Sequence, residues 1–143
     1  MFTIEDFLRV SNQMRDYYAK KIKDSFQEFN FSQNEISILI VLKNNSTITT
    51  STELKVVLGV SKTLISRSVD SLEKKGLICT CIDEKDSRIH HLQLTGECKP
   101  ILKIIDEEIG KINKTLFNDV SVEEMKSLKQ TMSKLQKCVE KEE

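Results

Sequence analysis

The sequence predicts a mostly α-helical chain carrying one small β-hairpin, on three observations. Four Gly and a single Pro in 143 residues are too few turn formers for an all-β design. Apolar residues recur at steps of three and four along most of the chain, the period of helices with one buried face. The stretch from Leu77 to Leu94 breaks that period, with two β-prone runs around a polar tip. The 22 basic and 22 acidic side chains cancel, and 38% hydrophobic residues suffice for the core of one domain or one subunit of an oligomer.

The elements follow in order. Thr3 caps a first helix with Asp6 bonding back, Phe2 and Phe7 are spaced as a hydrophobic staple, and Phe7, Met14, Tyr18, Ile22 and Phe26 form its apolar side. Ser32 and Glu35 make a capping box for a second helix carrying Ile36, Leu39, Ile40 and Leu42, which ends in the polar run from Lys43 to Ser46. Thr47-Ile48-Thr49 is β-branched and suits one extended strand. Thr50 with Glu53 is another capping box, opening a brief third helix with Leu54, Val57 and Leu58 on one face. Gly59 supplies the permissive backbone for a sharp turn, and Ser61 caps the fourth helix about three residues on.

In that fourth helix Ile65, Val69 and Leu72 point inward while Lys62, Thr63, Ser66, Arg67, Asp70 and Lys74 point elsewhere, and Gly76 stops it. Leu77 to Ile82 and Arg88 to Leu94 pair around Asp83-Glu84-Lys85-Asp86-Ser87. Thr95 caps a fifth helix, with Pro100 tolerable in its first turns and Ile101, Ile105, Ile109, Ile112 and Leu116 as its stripe. Ser121 and Glu124 open the last helix, where Met125, Leu128, Met132, Leu135 and Val139 alternate steps of three and four, the seam of a helix that packs along another helix.

Helix, glycine turn, helix and hairpin in succession is the winged form of the helix-turn-helix, whose second helix is sized for a major groove. Between Ser51 and Lys75, five basic residues face three acidic ones, a modest positive bias in a neutral chain. Lys62, Thr63, Ser66 and Arg67 crowd the first turns of the fourth helix, where phosphates and base edges would be met.

Other classes fare worse. The longest apolar stretch, Ile36 to Leu42, is broken by Ser37 and falls far short of the ~20 residues that span a bilayer. The acidic start MFTIEDFLRV is unlike a secretory signal, so a cytoplasmic chain is expected. There Cys79, Cys81, Cys98 and Cys138 would be free thiols, and the acceptor patterns Asn45-Ser46-Thr47 and Asn113-Lys114-Thr115 carry no meaning. Ser, His and Asp residues occur without any nucleophile motif, phosphate-gripping glycine loop or metal-spaced carboxylate pair, so no enzyme, catalytic residue or cofactor is expected. Cys79 and Cys81 share one strand face, with His90 and His91 on the returning strand, which leaves thiol or metal sensing as an alternative.

The stretch from Ser32 to Gly96 resembles the MarR family of bacterial transcriptional regulators. The residues that carry the likeness are STELKVVLGVSKTLISRSVDSLEKKGLI, similar to the family's recognition-helix region, and DEKDSRIHHLQLTGEC, similar to its wing signature. The resemblance implies a winged helix-turn-helix over residues 32–95, flanked by N-terminal (1–31) and C-terminal (96–143) dimerisation helices. It implies a homodimeric repressor on palindromic double-stranded DNA. Ser61, Lys62, Thr63, Ser66, Arg67 and Lys85 would contact DNA, with Arg88 entering the minor groove while Asp86 holds its guanidinium. It also implies a small-molecule effector in a crevice that Met14, Tyr17, Tyr18 and Phe26 would line. The chain departs from the family in its first wing strand, which reads Cys79-Thr80-Cys81 where basic residues are usual. A winged helix used only for protein contacts is the remaining alternative.

Overall fold

A computed structural model describes residues 1–142 of the protein. Six helices and one hairpin follow in the order α1 (Ile4–Phe26), α2 (Gln33–Asn44), α3 (Ser51–Leu58), α4 (Lys62–Lys74), β1 (Ile78–Ile82), β2 (His90–Leu94), α5 (Lys99–Leu116) and α6 (Val122–Glu140). The chain forms two compact units, one of residues 1–110 and one beginning at Lys111.

The capping signals act where the sequence places them. Thr3 and Asp6, Ser32 and Glu35, and Ser121 and Glu124 form complete reciprocal boxes. At α3 the box is half made: the Thr50 hydroxyl accepts from Glu53 N–H, but Glu53 bonds the Thr50 hydroxyl rather than its backbone. Gly59 adopts φ +63° and its N–H closes on Lys55 C=O at 3.0 Å. Gly76, at φ +73°, ends α4 in a Schellman turn, with Gly76 N–H to Glu73 C=O and Leu77 N–H to Leu72 C=O.

The core of the first unit is built on α2. Ile36, Ile38, Leu39 and Val41 are all buried, so this helix is enclosed on more than one side. The expected stripe of Ile36, Leu39, Ile40 and Leu42 is therefore too narrow, because periodicity locates a single face and a central helix has several. Leu54 from α3, Ile65, Val69 and Leu72 from α4, Ile22 and Phe26 from α1, and Ile101 and Ile105 from α5 are also buried, each worth about 1.5–3 kcal/mol on leaving water. In α3 only Leu54 is buried, and Val57 stands in solvent.

A polar cluster joins α2 to α4. The Glu35 carboxylate, 4% exposed, caps α2 at Ser32 N–H and also accepts from the Ser71 hydroxyl and from Lys75 Nζ at 2.9 Å. Lys75 Nζ donates further to Asn30 C=O at 2.6 Å and lies 4.3 Å from the Phe31 ring centre. Burial pushes the Glu35 carboxyl up, but its bonds to Ser71, Lys75 and Ser32 outweigh that and leave it below the ordinary value.

Two expectations are corrected. Thr47-Ile48-Thr49 is no strand: Ile48 N–H turns back to Asn45 C=O, and one ladder bond, Leu92 N–H to Thr49 C=O at 2.7 Å, reaches the hairpin. The two-stranded sheet pairs Ile78 with Leu94 through Ile82 with His90. Nor does the Thr95 side chain cap a helix. Its hydroxyl donates to Gly76 C=O at 2.6 Å, and a 3-10 turn (Gly96–Cys98) leads into α5. The hydroxyl is oriented by donating to the Schellman turn, and no N–H of the next turn reaches its lone pairs.

In the second unit α6 buries none of its described residues. Leu128, Met132, Leu135 and Val139 remain exposed along its seam. No helix among the described residues is long and apolar enough to cross a membrane.

Candidate nucleic-acid interface

The site begins at the turn between α3 and α4. Gly59 reverses the chain in the left-handed region, where an L side chain would be strained, and Ser61 then starts α4 by accepting Leu64 N–H at 3.2 Å. Burial of Ile65, Ser68, Val69 and Leu72 turns the opposite side of α4 outward. Lys62, Thr63, Ser66 and Arg67 are all exposed there and have no partner among the described residues. Ser61 joins them at the helix start, with its hydroxyl already used as the cap.

The wing stands beside α4 and is tied to it at the base and at the middle of β1. At its base, Thr95 closes on Gly76 through its hydroxyl and on Leu77 through its N–H at 3.0 Å. Further out, the Thr80 hydroxyl donates to the Glu73 carboxylate. At the tip, Asp83 accepts from Lys85 N–H at 3.0 Å and Asp86 N–H at 2.9 Å, which shapes the turn. Asp86 then grips Arg88 with both carboxylate oxygens: Nε to Oδ1 and Nη2 to Oδ2, each at 3.1 Å. The Arg88 side chain is 89% exposed, so the fork is oriented yet open to an outside anion. That grip draws Asp86 below the ordinary carboxylate range.

His91 has a role the sequence did not disclose. Nε2 bonds Asp83 Oδ1 at 2.8 Å and Nδ1 bonds the Thr49 hydroxyl at 2.7 Å. Both ring nitrogens are thus engaged with Thr49 and Asp83, although His91 pairs with Cys81 across the hairpin. Cys79 and Cys81 are exposed, and Cys81 Sγ approaches Gln93 Oε1 at 3.6 Å. No group of three His, Cys, Asp or Glu side chains among the described residues converges to hold a metal ion.

A cleft of about 490 Å³ lies between the start of α3 and the wing, lined by Thr50, Ser51, Thr52, Glu53, Arg88, Ile89 and His90. Another of about 300 Å³ lies between the α2–α3 connection and β2. Neither touches Met14, Tyr17, Tyr18 or Phe26. Phe26 belongs to the core, with its ring 5.9 Å from that of Phe29. Tyr17 lies under Lys21, burial raises the Tyr18 hydroxyl above its ordinary value, and Met14 is exposed.

Comparison with known proteins agrees with this geometry. A sequence model of the MarR family matches residues 29–89. A MarR-family transcriptional regulator from Silicibacter pomeroyi superposes with a TM-score of 0.80 at 17% identity, over 93% of this chain and 90% of that one. S. aureus MepR, solved in its DNA-binding conformation, gives 0.78 at 17% identity, over 96% and 99%. The transcriptional regulator BldR from Sulfolobus solfataricus gives 0.68 at 26% identity, over 94% and 99%. Over residues 29–89, which hold the helix-turn-helix and most of the hairpin, the chain is similar to the MarR family of transcriptional regulators, and the fold that surrounds them is the fold of these solved regulators.

Proposed function

We propose that the protein is a dimeric, sequence-specific DNA-binding regulator that represses transcription by occupying a palindromic operator. The observation that carries this reading is the outward face of α4, where Lys62, Thr63, Ser66 and Arg67 are exposed without partners. Side chains of those types at the start of a recognition helix reach phosphates and base edges. Arg88, oriented by Asp86 and exposed at the wing, serves the adjacent minor groove, with Lys85 on the flanking phosphate. The winged part is residues 32–95, and residues 1–31 and 96–143 supply the dimer.

Dimerisation rests on the α6 seam, whose exposed Leu128, Met132, Leu135 and Val139 are suited to a second copy. A pair of recognition helices about one duplex turn apart reads a palindrome that one helix is too small to select. A small effector would act by changing the separation of the two winged parts, with Met14, Tyr17, Tyr18 and Phe26 as its candidate surroundings.

Sequencing the fragments that the purified protein selects from its own genome tests this. Palindromes near promoters are expected, bound with an affinity that falls steeply with salt. Failure to enrich any sequence, or a flat salt response, overturns the reading.

A further inference from the structure

An unbroken path of hydrogen bonds runs from the segment before α3 to the guanidinium of Arg88. Thr49 starts it, held against β2 by its own carbonyl, which accepts Leu92 N–H at 2.7 Å. Its hydroxyl meets His91 Nδ1, and His91 Nε2 meets Asp83 Oδ1. The other oxygen of Asp83 holds the backbone N–H groups of Lys85 and Asp86. Asp86 in turn accepts Arg88 N–H at 3.0 Å and the guanidinium fork.

Beside the backbone bond from Leu92 to Thr49, the histidine links the hairpin tip to the segment before α3 through its side chain. A carboxylate only accepts, so Nε2 carries a proton and donates to Asp83. Nδ1 then accepts from the Thr49 hydroxyl when the ring is neutral, and donates to the same oxygen when it is charged. The bridge thus forms in either state and acts as a strut rather than a switch. Asp83 reflects it: the bond from His91 first, and the N–H groups of Asp86 and Lys85 after it, draw its carboxyl below the ordinary range. Without His91, Asp83 would still make the tip turn, but the turn would no longer be registered against Thr49.

We propose that His91 is a positioning residue for Arg88, fixing the wing tip against the start of α3 so that the guanidinium meets the minor groove at a set height. This rests on the DNA-binding reading above, and on nothing else in it than the role of Arg88.

The test uses the full chain, a duplex recovered by selection with the wild-type protein, and the variants His91→Leu, His91→Gln, Arg88→Ala and the double variant His91→Leu with Arg88→Ala. His91→Leu should weaken binding about fivefold, the scale of one or two lost hydrogen bonds. That loss should vanish in the Arg88→Ala background, because a strut for an absent side chain has nothing to position. His91→Gln, which keeps a donor for Asp83, should recover most of the affinity. In the free protein, amide exchange at Lys85 and Asp86 should quicken in His91→Leu while the Ile78 to Ile82 ladder is unchanged. Equal losses in both backgrounds, or unchanged exchange at the two tip amides, overturn the positioning role. Failure of the wild-type protein to select any duplex overturns the DNA-binding reading instead, and with it the purpose assigned to Arg88.

Discussion

Replacing Glu35 with alanine should cost about 3 kcal/mol, a large share of the ~5–15 kcal/mol by which domains are stable. The carboxylate is buried and accepts three bonds, from Ser32 N–H, the Ser71 hydroxyl and Lys75 Nζ. The charge-assisted bond to Lys75 contributes about 1.5–3 kcal/mol, and the cap at Ser32 about 1 kcal/mol. Lys75 is 28% exposed and keeps Asn30 C=O, so it can turn to water and the loss stays below that of a fully enclosed pair. Ser71 can bond a carbonyl of its own helix. For a chain of this length 3 kcal/mol lowers Tm by about 10 °C. The assay is urea unfolding followed by circular dichroism at one fixed protein concentration, since association adds to apparent stability. Glu35→Gln preserves shape and one acceptor and should cost about half as much. A change below about 0.5 kcal/mol for Glu35→Ala would show that α2 and α4 are held by apolar packing alone.

The same carboxylate sets an acid response. Its value in the folded chain lies below the ordinary one, so its contribution is complete above the ordinary carboxyl range and is lost as pH falls through the folded value. The stability gap between wild type and Glu35→Gln should therefore close in acid, as read by urea midpoints against pH. Arg88→Ala should leave the unfolding free energy within about 0.5 kcal/mol of wild type, because the side chain is almost fully exposed, while weakening operator binding in gel shifts. Lys62→Ala or Arg67→Ala should each lower the slope of log affinity against log salt by about 1. Gly59→Ala should cost about 1 kcal/mol from left-handed backbone strain alone, since an added Cβ meets nothing within 4 Å. Leu128→Lys with Leu135→Lys should give monomers by light scattering at micromolar concentration.

Local chemistry made much of this fold legible in the sequence. A Ser or Thr with an acid three residues on, and a glycine just past an apolar run, are settled within one helical turn, so the caps at Thr3, Ser32 and Ser121 and the turns at Gly59 and Gly76 could be located from neighbours alone. What escaped depends on partners far along the chain. Glu35 looked like a simple cap because Ser71 and Lys75 lie 36 and 40 residues away. Ile38 and Val41 fell outside the expected stripe because a helix enclosed on several sides has no single one. Thr47-Ile48-Thr49 had strand chemistry but found only one ladder bond. At the interface, the exposed α4 residues could be named from spacing, and the Asp86 to Arg88 pair from the resemblance to the family's wing signature. His91 could not, because a histidine on a hairpin shows no sign of the threonine across from it.

The latch between Thr95 and Gly76 joins the stop of α4 to the root of the hairpin, with the Schellman carbonyl as the common point. The recognition helix and the wing therefore swing as one lever: neither can rotate on the duplex without carrying the other. In the proposed dimer, control would act on the spacing between whole levers, and a Thr95→Val variant, by loosening the pivot, should uncouple major-groove from minor-groove engagement before it unfolds the chain.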